Sequence, residues 1–200
     1  MRMKTDLGHY IRTYKDTYTT NFCKDLVNTL DKSYSEKHKF YNGTTGEETK
    51  VGNDPENVWL DEPYAKQYRE ELMKGLYNVL DKYIVNDMCK TEGFDYFPGW
   101  NGYSFPKFIR YENNAEMKPH CDHIFDLFKD EQGNPRGVPI LTMIVGLNED
   151  YYGGDLNILY GKDYKLETGE CIVFPSNFLY PHYVKPVEKG RRYSMISWVH

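Results

Sequence analysis

The stretch GECIVFPSNFLYPHYVKPVEKGRRYSMISWV, residues 169–199, indicates most clearly which fold the sequence favours. It contains three short runs rich in β-branched and aromatic residues, at 170–174, 182–184 and 191–199, separated by proline, asparagine and glycine. Such runs are typical of strands joined by tight turns. Further strands are expected upstream at 107–111, 138–147 and 155–160. Several short strands at this spacing predict a β-sandwich or barrel over the second half of the chain.

The first half of the chain shows a helical pattern instead. Phe22, Leu26 and Leu30 are spaced by four residues and form one apolar stripe. Residues 41–58, rich in Gly, Asn, Thr and Glu, predict an exposed loop. A second helix is expected to begin near Asp61, and its buried stripe should comprise Tyr64, Tyr68, Leu72, Leu76, Leu80 and Ile84.

These patterns predict one α+β domain over residues 1–200. Within it we expect a helical support region over about residues 1–100 and a β-rich core over about residues 101–200. A chain of this length can bury a sizeable core without disulfides or a structural metal.

Charge and hydropathy exclude several classes of partner. The formal net charge is −5, and no large cluster of lysine and arginine is present, which makes nucleic acid an improbable partner. The longest apolar run, 140–147, is too short for a membrane span, and the first residues lack the apolar stretch of a secretory signal. The four cysteines are scattered without a CxxC pair, which argues against a disulfide framework or a zinc ribbon. We therefore expect a cytoplasmic protein without a membrane partner.

The tripeptide His120-Cys121-Asp122 is the first candidate for chemistry. Residues two apart on a strand share a face, so His120 and Asp122 can converge on one ion. His182 supplies a second imidazole further along the chain. Two histidines and one carboxylate are the ligand set of non-haem Fe(II) oxygenases, and they leave three positions open on an octahedral ion. His123 is a poor rival ligand, because its side chain should point away from the face that carries Asp122.

A basic residue on the last predicted strand extends this set. Arg192, Ser194, Ile196 and Trp198 share one face of that strand. Arg192 and Ser194 can hold a carboxylate together, the guanidinium as a bidentate fork and the hydroxyl through one more hydrogen bond. If the register slips by one residue, Arg191 takes this role instead. The apolar residues on the first face favour Arg192, because such a face points inward.

In order and spacing over roughly residues 100–199, these motifs resemble the Fe(II)- and 2-oxoglutarate-dependent dioxygenases, specifically the prolyl 4-hydroxylase-like branch. The matching segments are Ile109-Arg110-Tyr111, His120-Cys121-Asp122, Gly153-Gly154-Asp155-Leu156, Gly169-Glu170 with Phe174-Pro175, His182, Gly190-Arg191-Arg192 and Trp198.

The resemblance implies a double-stranded β-helix (jelly-roll) core with Fe(II) held by His120, Asp122 and His182. It also implies 2-oxoglutarate and O₂ as cosubstrates, with Arg192 on the far carboxylate of 2-oxoglutarate, and it makes ascorbate a candidate reductant. The other cosubstrate-binding residues that it implies are Ser194, Tyr111, Leu156 and Trp198.

Two segments beside these motifs bear on the site. Several family members carry a tyrosine where this sequence has Gly146, so Ser194 or another tyrosine must replace that pocket hydroxyl. Residues 124–138 follow the first metal motif and contain glycine and proline. We expect this segment to be a mobile lid that becomes ordered when substrate binds.

The activity that the resemblance implies is hydroxylation of a C–H bond with release of succinate and CO₂. A prolyl residue in a protein or peptide is the leading substrate, although no feature of the sequence reads proline directly. A free amino acid or another small molecule is the alternative within the same class of enzyme. A non-catalytic metal-binding jelly-roll module is the alternative outside it.

Overall fold

A computed structural model of the chain describes residues 6–41, 45, 47–49, 52–90, 100, 102–112, 114–123, 128–129 and 135–200. The helices of this part of the chain all lie in its first half. They are a 3-10 helix, Leu7–Tyr10, then α1, Thr20–Leu30, and α2, Glu62–Asp81, which continues as a π-helical segment, Lys82–Lys90.

Strands occur in both halves of the chain. The first half contributes β1 (Arg12–Tyr14), β2 (Tyr34–Lys37), β3 (Phe40–Tyr41), β4 (Glu48–Thr49) and β5 (Glu56–Trp59). The second half contributes β6 (Lys107–Glu112), β7 (Met117–His120), β8 (Phe128–Lys129), β9 (Pro135–Gly137), β10 (Leu141–Gly146), β11 (Tyr151–Gly153), β12 (Leu156–Ile158), β13 (Lys162–Tyr164), β14 (Cys171–Pro175), β15 (His182–Val184) and β16 (Val187–Val199).

Two antiparallel sheets build the β-core. The larger sheet has the order β1-β14-β10-β16-β6-β5-β2, with β11 paired to β16, and the smaller sheet has the order β13-β12-β15-β7. From β6 onward the main strands alternate between the two sheets, so the chain winds as a double-stranded β-helix. The predicted α+β fold with a jelly-roll core and packing helices is confirmed.

The alternation of side chains along the strands separates two apolar cores. On β10, Met143 and Val145 face the helices and pack in one cluster with Leu26 of α1 and Leu72 of α2. Ile144, between them, belongs to the cluster that lies between the two sheets. Because β10 is covered on both faces, all six of its residues are buried. The second cluster surrounds the pocket described below.

The first half contributes more to the sheet than its helical pattern predicts. Residues 56–59, at the end of the predicted exposed loop 41–58, form β5, which pairs with both β2 and β6. Asn57 and Val58 are buried as a result. The expectation of an exposed loop is wrong for this part, because pairing with a distant strand orders a segment that has no apolar alternation of its own.

The helices match their predictions except at one position. α1 buries Leu26 and Leu30, and α2 begins directly after Asp61. Tyr64, which was expected in the buried stripe, is 45% exposed. It lies one turn before Tyr68, the first residue of α2 that reaches the core.

The predicted lid, 124–138, falls largely outside the described residues.

Within the described part of the chain, no helix combines the length and the hydropathy that a membrane span requires. Cys23, Cys121 and Cys171 are free thiols.

Candidate active site

The smaller sheet and the turn after β7 bring His120, Asp122 and His182 together. His120 ends β7 and His182 begins β15, and these two residues are paired across the smaller sheet. Asp122 lies just beyond the end of β7, so it reaches the cluster from the following turn and not from the strand face. Its two carboxylate oxygens lie 3.5 Å from Nε2 of His120 and 3.5 Å from Nε2 of His182. One ligand atom from each residue lies within 4.8 Å of the others, a spacing that fits one metal ion.

Backbone carbonyls fix the orientation of both imidazoles. Nδ1 of His120 lies 2.7 Å from the carbonyl oxygen of Lys118, and Nδ1 of His182 lies 3.1 Å from that of Tyr180. A nitrogen that donates to a carbonyl carries the proton, which leaves the Nε2 lone pair free as a ligand. Two such lone pairs and a carboxylate face one point. Without a cation, three hydrogen-bond acceptors would face one another there, so the arrangement suits a metal ion.

The electrostatics of the cluster keep its carboxylate ionised. Burial alone raises the pKa of Asp122, but the hydrogen bonds and charges of His120 and His182 outweigh it and hold that pKa well below its usual value. For His120, burial lowers the pKa, but the hydrogen bond and charge of Asp122 produce a net increase. Asp122 is therefore available as an anionic ligand across the neutral pH range.

Thr142 supports the metal cluster from β10. Its hydroxyl donates to Oδ2 of Asp122 at 2.8 Å, and it lies 2.7 Å from the hydroxyl of Ser176. All three side chains are buried. Sequence reasoning missed Thr142, although a polar residue inside the apolar run 140–147 was a usable signal.

We expect Thr142→Val to weaken metal binding about 10- to 100-fold, because removal of a hydrogen bond to a metal ligand frees that ligand to rotate. The volume of the side chain is nearly conserved, so the fold should persist. The measurement is a titration with Co(II) followed by its absorption spectrum. Ser176→Ala, which removes a hydroxyl one step further from the metal ligands, serves as the control and should have a smaller effect. Equal Co(II) affinity in Thr142→Val and the unmodified protein would contradict this role.

Arg192 lies in the same pocket as the metal cluster. Its side chain is 3% exposed, its Nη1 donates to the Ser194 hydroxyl at 3.2 Å, and its guanidinium lies 4.8 Å from the ring centre of Tyr111. No carboxylate of the described residues forms an ion pair with it. The walls of this pocket are formed by Tyr111, Met117, His120, Ile144, Leu156, His182, Val184, Arg192, Ser194 and Ile196.

The register of β16 distinguishes the two arginines. Arg192 pairs with Tyr111 of β6 and faces the pocket, whereas the Arg191 side chain is 52% exposed. Arg191 forms ion pairs with Glu112 at 2.9 Å and Asp31 at 3.1 Å on the surface. The geometry therefore places Arg192, and not Arg191, where an enclosed anion can reach it.

The remaining predicted site residues divide into two groups. Leu156, Ser194 and Tyr111 line the pocket, whereas Trp198 does not. The indole Nε1 of Trp198 is buried and has no hydrogen-bond partner in the described part of the chain. The rival ligand His123 is exposed and lies outside the cluster that can hold a metal.

Gly146 cannot supply a hydroxyl to the pocket, but Tyr111 lines the pocket. At Gly146 a β-carbon would lie 2.9 Å from Cβ of Leu166, so the chain that carries Leu166 fills the space of a side chain there. Tyr111 instead presents a buried phenol to Arg192 from β6. Burial raises the pKa of Tyr111, with Arg192 acting in the opposite direction.

The Gly153-Gly154 turn packs directly against Arg192. Gly154 has φ of +67°, and a β-carbon there would lie 2.8 Å from Cγ2 of Val187 and 3.0 Å from Cδ of Arg192. Glycine is therefore required both by the backbone conformation and by the approach of the arginine stem.

We expect Gly154→Ala to lower the free energy of unfolding by about 1–3 kcal/mol, because the substitution adds backbone strain and a clash. The check is the midpoint of urea unfolding. Gly161→Ala is the matched control, since its nearest neighbour is the carbonyl oxygen of Leu159 at 3.7 Å. That variant should differ from the unmodified protein by less than about 0.5 kcal/mol. The same loss in both variants would show that Gly154 has no special packing role.

Comparison with protein families connects this geometry to known proteins. Residues 106–200 match the model of the 2OG-Fe(II) oxygenase superfamily. A PKHD-type hydroxylase from Synechococcus sp. strain JA-2-3B'a(2-13) is 41% identical over 92 residues, which are 44% of this chain and 39% of that protein. A PKHD-type hydroxylase from Delftia acidovorans is 31% identical over 98 residues, 48% of this chain and 42% of that protein. The matched part of the chain thus spans less than half the length of these relatives.

Solved structures share the fold over almost the whole chain. A prolyl-4-hydroxylase from Pseudomonas putida aligns with a TM-score of 0.64 and 18% identity over 96% of this chain and 92% of that one. A viral collagen prolyl hydroxylase from Paramecium bursaria Chlorella virus 1, solved with 2OG, aligns with a TM-score of 0.60 and 15% identity over 95% and 94%. At these identities the likeness concerns the fold.

Proposed function

We propose that this chain is an Fe(II)- and 2-oxoglutarate-dependent hydroxylase, because its residues 106–200 match the model of the 2OG-Fe(II) oxygenase superfamily. One observation carries the proposal. A buried arginine without an ion-pair partner among the described residues shares a pocket with a two-histidine, one-carboxylate cluster. A keto diacid is a ligand that suits both ends of such a pocket.

In this proposal the side chains have separate tasks. His120, Asp122 and His182 would hold Fe(II) through two imidazole nitrogens and one carboxylate. Arg192 grips the far carboxylate of 2-oxoglutarate, and Ser194 and Tyr111 orient that guanidinium. Bound Fe(II) supplies the activation of O₂ that is coupled to decarboxylation of 2-oxoglutarate.

The walls of the pocket contribute a dry environment. Ile144, Leu156 and Ile196 line it between the metal cluster and Arg192. Apolar walls strengthen the interaction between the guanidinium and a carboxylate, because they exclude the water that would screen it. They also limit side reactions of a reactive centre with solvent.

For the substrate, we propose a prolyl residue in a protein or peptide. Support comes from the relatives and neighbours, which are PKHD-type hydroxylases and prolyl hydroxylases by name. One of them, from Trichoplax adhaerens, was solved with a hypoxia-inducible-factor peptide fragment.

The test has two stages. The purified chain is incubated with Fe(II), ascorbate and 2-oxoglutarate, and succinate is measured, followed by mass spectrometry of proline-containing peptides added to the same mixture. Fe(II)-dependent succinate with a 16 Da gain on a peptide supports the whole proposal. Succinate without any modified peptide would support the reaction class and refute the prolyl substrate. If no succinate forms, the non-catalytic alternative holds.

A further inference from the structure

Lys107 lies on the inner face of the larger sheet, beside the metal cluster. On β6, Phe108 packs with the helices, whereas Ile109 and Tyr111 pack between the two sheets. Alternation therefore puts Lys107 on the same inner face as Ile109 and Tyr111. Lys107 is also paired with Ile196, which lines the pocket. Its half-buried side chain thus starts from the wall of the site and not from the outer surface.

A histidine lies beside the ammonium group of Lys107. Its Nζ lies 3.4 Å from Nδ1 of His38, and the same Nδ1 lies 3.0 Å from Oδ1 of Asn57. One ring nitrogen either donates or accepts, so it cannot satisfy both contacts at once in this arrangement. Burial and the charge of Lys107 lower the pKa of His38 to about 4, so His38 is neutral near pH 7. At least two of the three ammonium donors of Lys107 therefore have no protein acceptor among the described residues.

Among the residues that the structure describes, no carboxylate lies within ion-pair distance of this ammonium. Lys107 forms no ion pair with any described carboxylate, although the charges of Asp122 and Glu36 act on it from further away. Once a divalent ion binds His120 and Asp122, the charge of Asp122 is more than neutralised. A cation that is half-buried beside a positive centre is costly unless a ligand brings a negative charge.

From this geometry, and on the basis of the hydroxylase function proposed above, we propose that Lys107, positioned by His38 and Asn57, binds a carboxylate of the substrate that is oxidised at this site. The substrate class is then limited to molecules that carry a carboxylate near the oxidised carbon. That carboxylate is either an amino acid α-carboxylate or an acidic side chain in a peptide.

The position of Lys107 distinguishes this carboxylate from those of 2-oxoglutarate. The Lys107–Ile196 and Tyr111–Arg192 pairs are four residues apart on the strands, about 13 Å. The four carbon–carbon bonds of 2-oxoglutarate separate its end carbons by at most about 6 Å. Lys107 is therefore displaced along the strands from the Arg192 end of the pocket, on the side where another ligand can bind. Trp198 lies on the same face of β16 as Ile196, and its Nε1, which has no hydrogen-bond partner among the described residues, offers a second donor there.

The test compares matched acids and amides. The chain of residues 1–200 is loaded with Zn(II) and 2-oxoglutarate so that no turnover occurs, and binding is measured by calorimetry. The probes are L-proline and L-prolinamide, together with two hexapeptides that carry Pro-Glu or Pro-Gln at their centre. In the unmodified protein at least one acid should bind about tenfold or more tightly than its amide. Lys107→Met should remove that preference, and Lys107→Arg should retain most of it.

Two controls establish whether the acid preference arises at Lys107. Lys66→Met makes the same change on an exposed face of α2 and should leave the acid preference intact. The affinity for 2-oxoglutarate itself should change less than threefold in Lys107→Met. A larger change would assign Lys107 to the cosubstrate and overturn the proposal. No acid–amide difference in the unmodified protein, including no binding of any probe, would also overturn it. Succinate formation in the assay of the proposed function reports separately on whether that function fails.

Discussion

Asp122→Ala is expected to reduce Fe(II)-dependent succinate formation at least about 100-fold. Asp122 is the one carboxylate in the metal cluster of the described residues, and both imidazoles point their Nε2 atoms towards it. Without it two neutral ligands remain, and neither offsets the charge of a divalent ion. Metal binding, measured by Co(II) absorption, should weaken in parallel with succinate formation.

The fold should survive this change, and a neighbouring variant provides the control. Thr142 keeps Ser176 as a hydrogen-bond partner when the carboxylate is removed, so its buried hydroxyl is not left unpaired. His123→Ala alters the exposed rival ligand next to Asp122 and should leave succinate formation and Co(II) binding unchanged. Succinate at the level of the unmodified protein in Asp122→Ala, with the fold verified by circular dichroism, would refute the metal assignment. A loss in His123→Ala as large as in Asp122→Ala would do so as well.

The side of the pocket formed by β16 could be predicted from the sequence, because it follows from strand alternation. Arg192 and Ser194 are two apart on a strand and share its inner face, and this holds in the structure. The choice between Arg191 and Arg192 depended on the register of the strand. The apolar residues on the face of Arg192 favoured the register that turns this face inward. Asp122 was expected on the same strand face as His120, but it lies two residues beyond the end of β7.

Contacts between distant segments could not be read from the sequence. β5 is short and becomes a strand because it pairs with the edge of β6, and β2 pairs in turn with β5. This pairing brings His38 and Asn57 next to Lys107, although about 50 to 70 residues separate them in the chain. Thr142 is similar, because its role depends on Asp122 reaching it across the core. Local patterns report on faces and turns, whereas these contacts depend on tertiary packing.

Arg192→Ala is expected to weaken the apparent affinity for 2-oxoglutarate by two or more orders of magnitude, about 3 kcal/mol. A bidentate, charge-assisted contact inside an apolar pocket contributes more than a neutral hydrogen bond. In the variant a carboxylate would face Ile144 and Leu156 without a cation. Arg192→Lys keeps the charge but loses the planar fork, so its affinity should fall between those of the other two proteins.

Arg191→Ala is the matched control for this experiment, because it removes the same side chain one residue away. Arg191 is half-exposed and paired with Glu112 and Asp31, and surface pairs of this kind contribute about 0–1 kcal/mol. Its 2-oxoglutarate affinity should therefore remain within about fivefold of the unmodified protein. The measurement is anaerobic calorimetry with 2-oxoglutarate and Zn(II), which separates cosubstrate binding from turnover. A larger loss in Arg191→Ala than in Arg192→Ala would mean that the inward face of β16 carries the other arginine, and the assignment of the cosubstrate pocket would then be wrong.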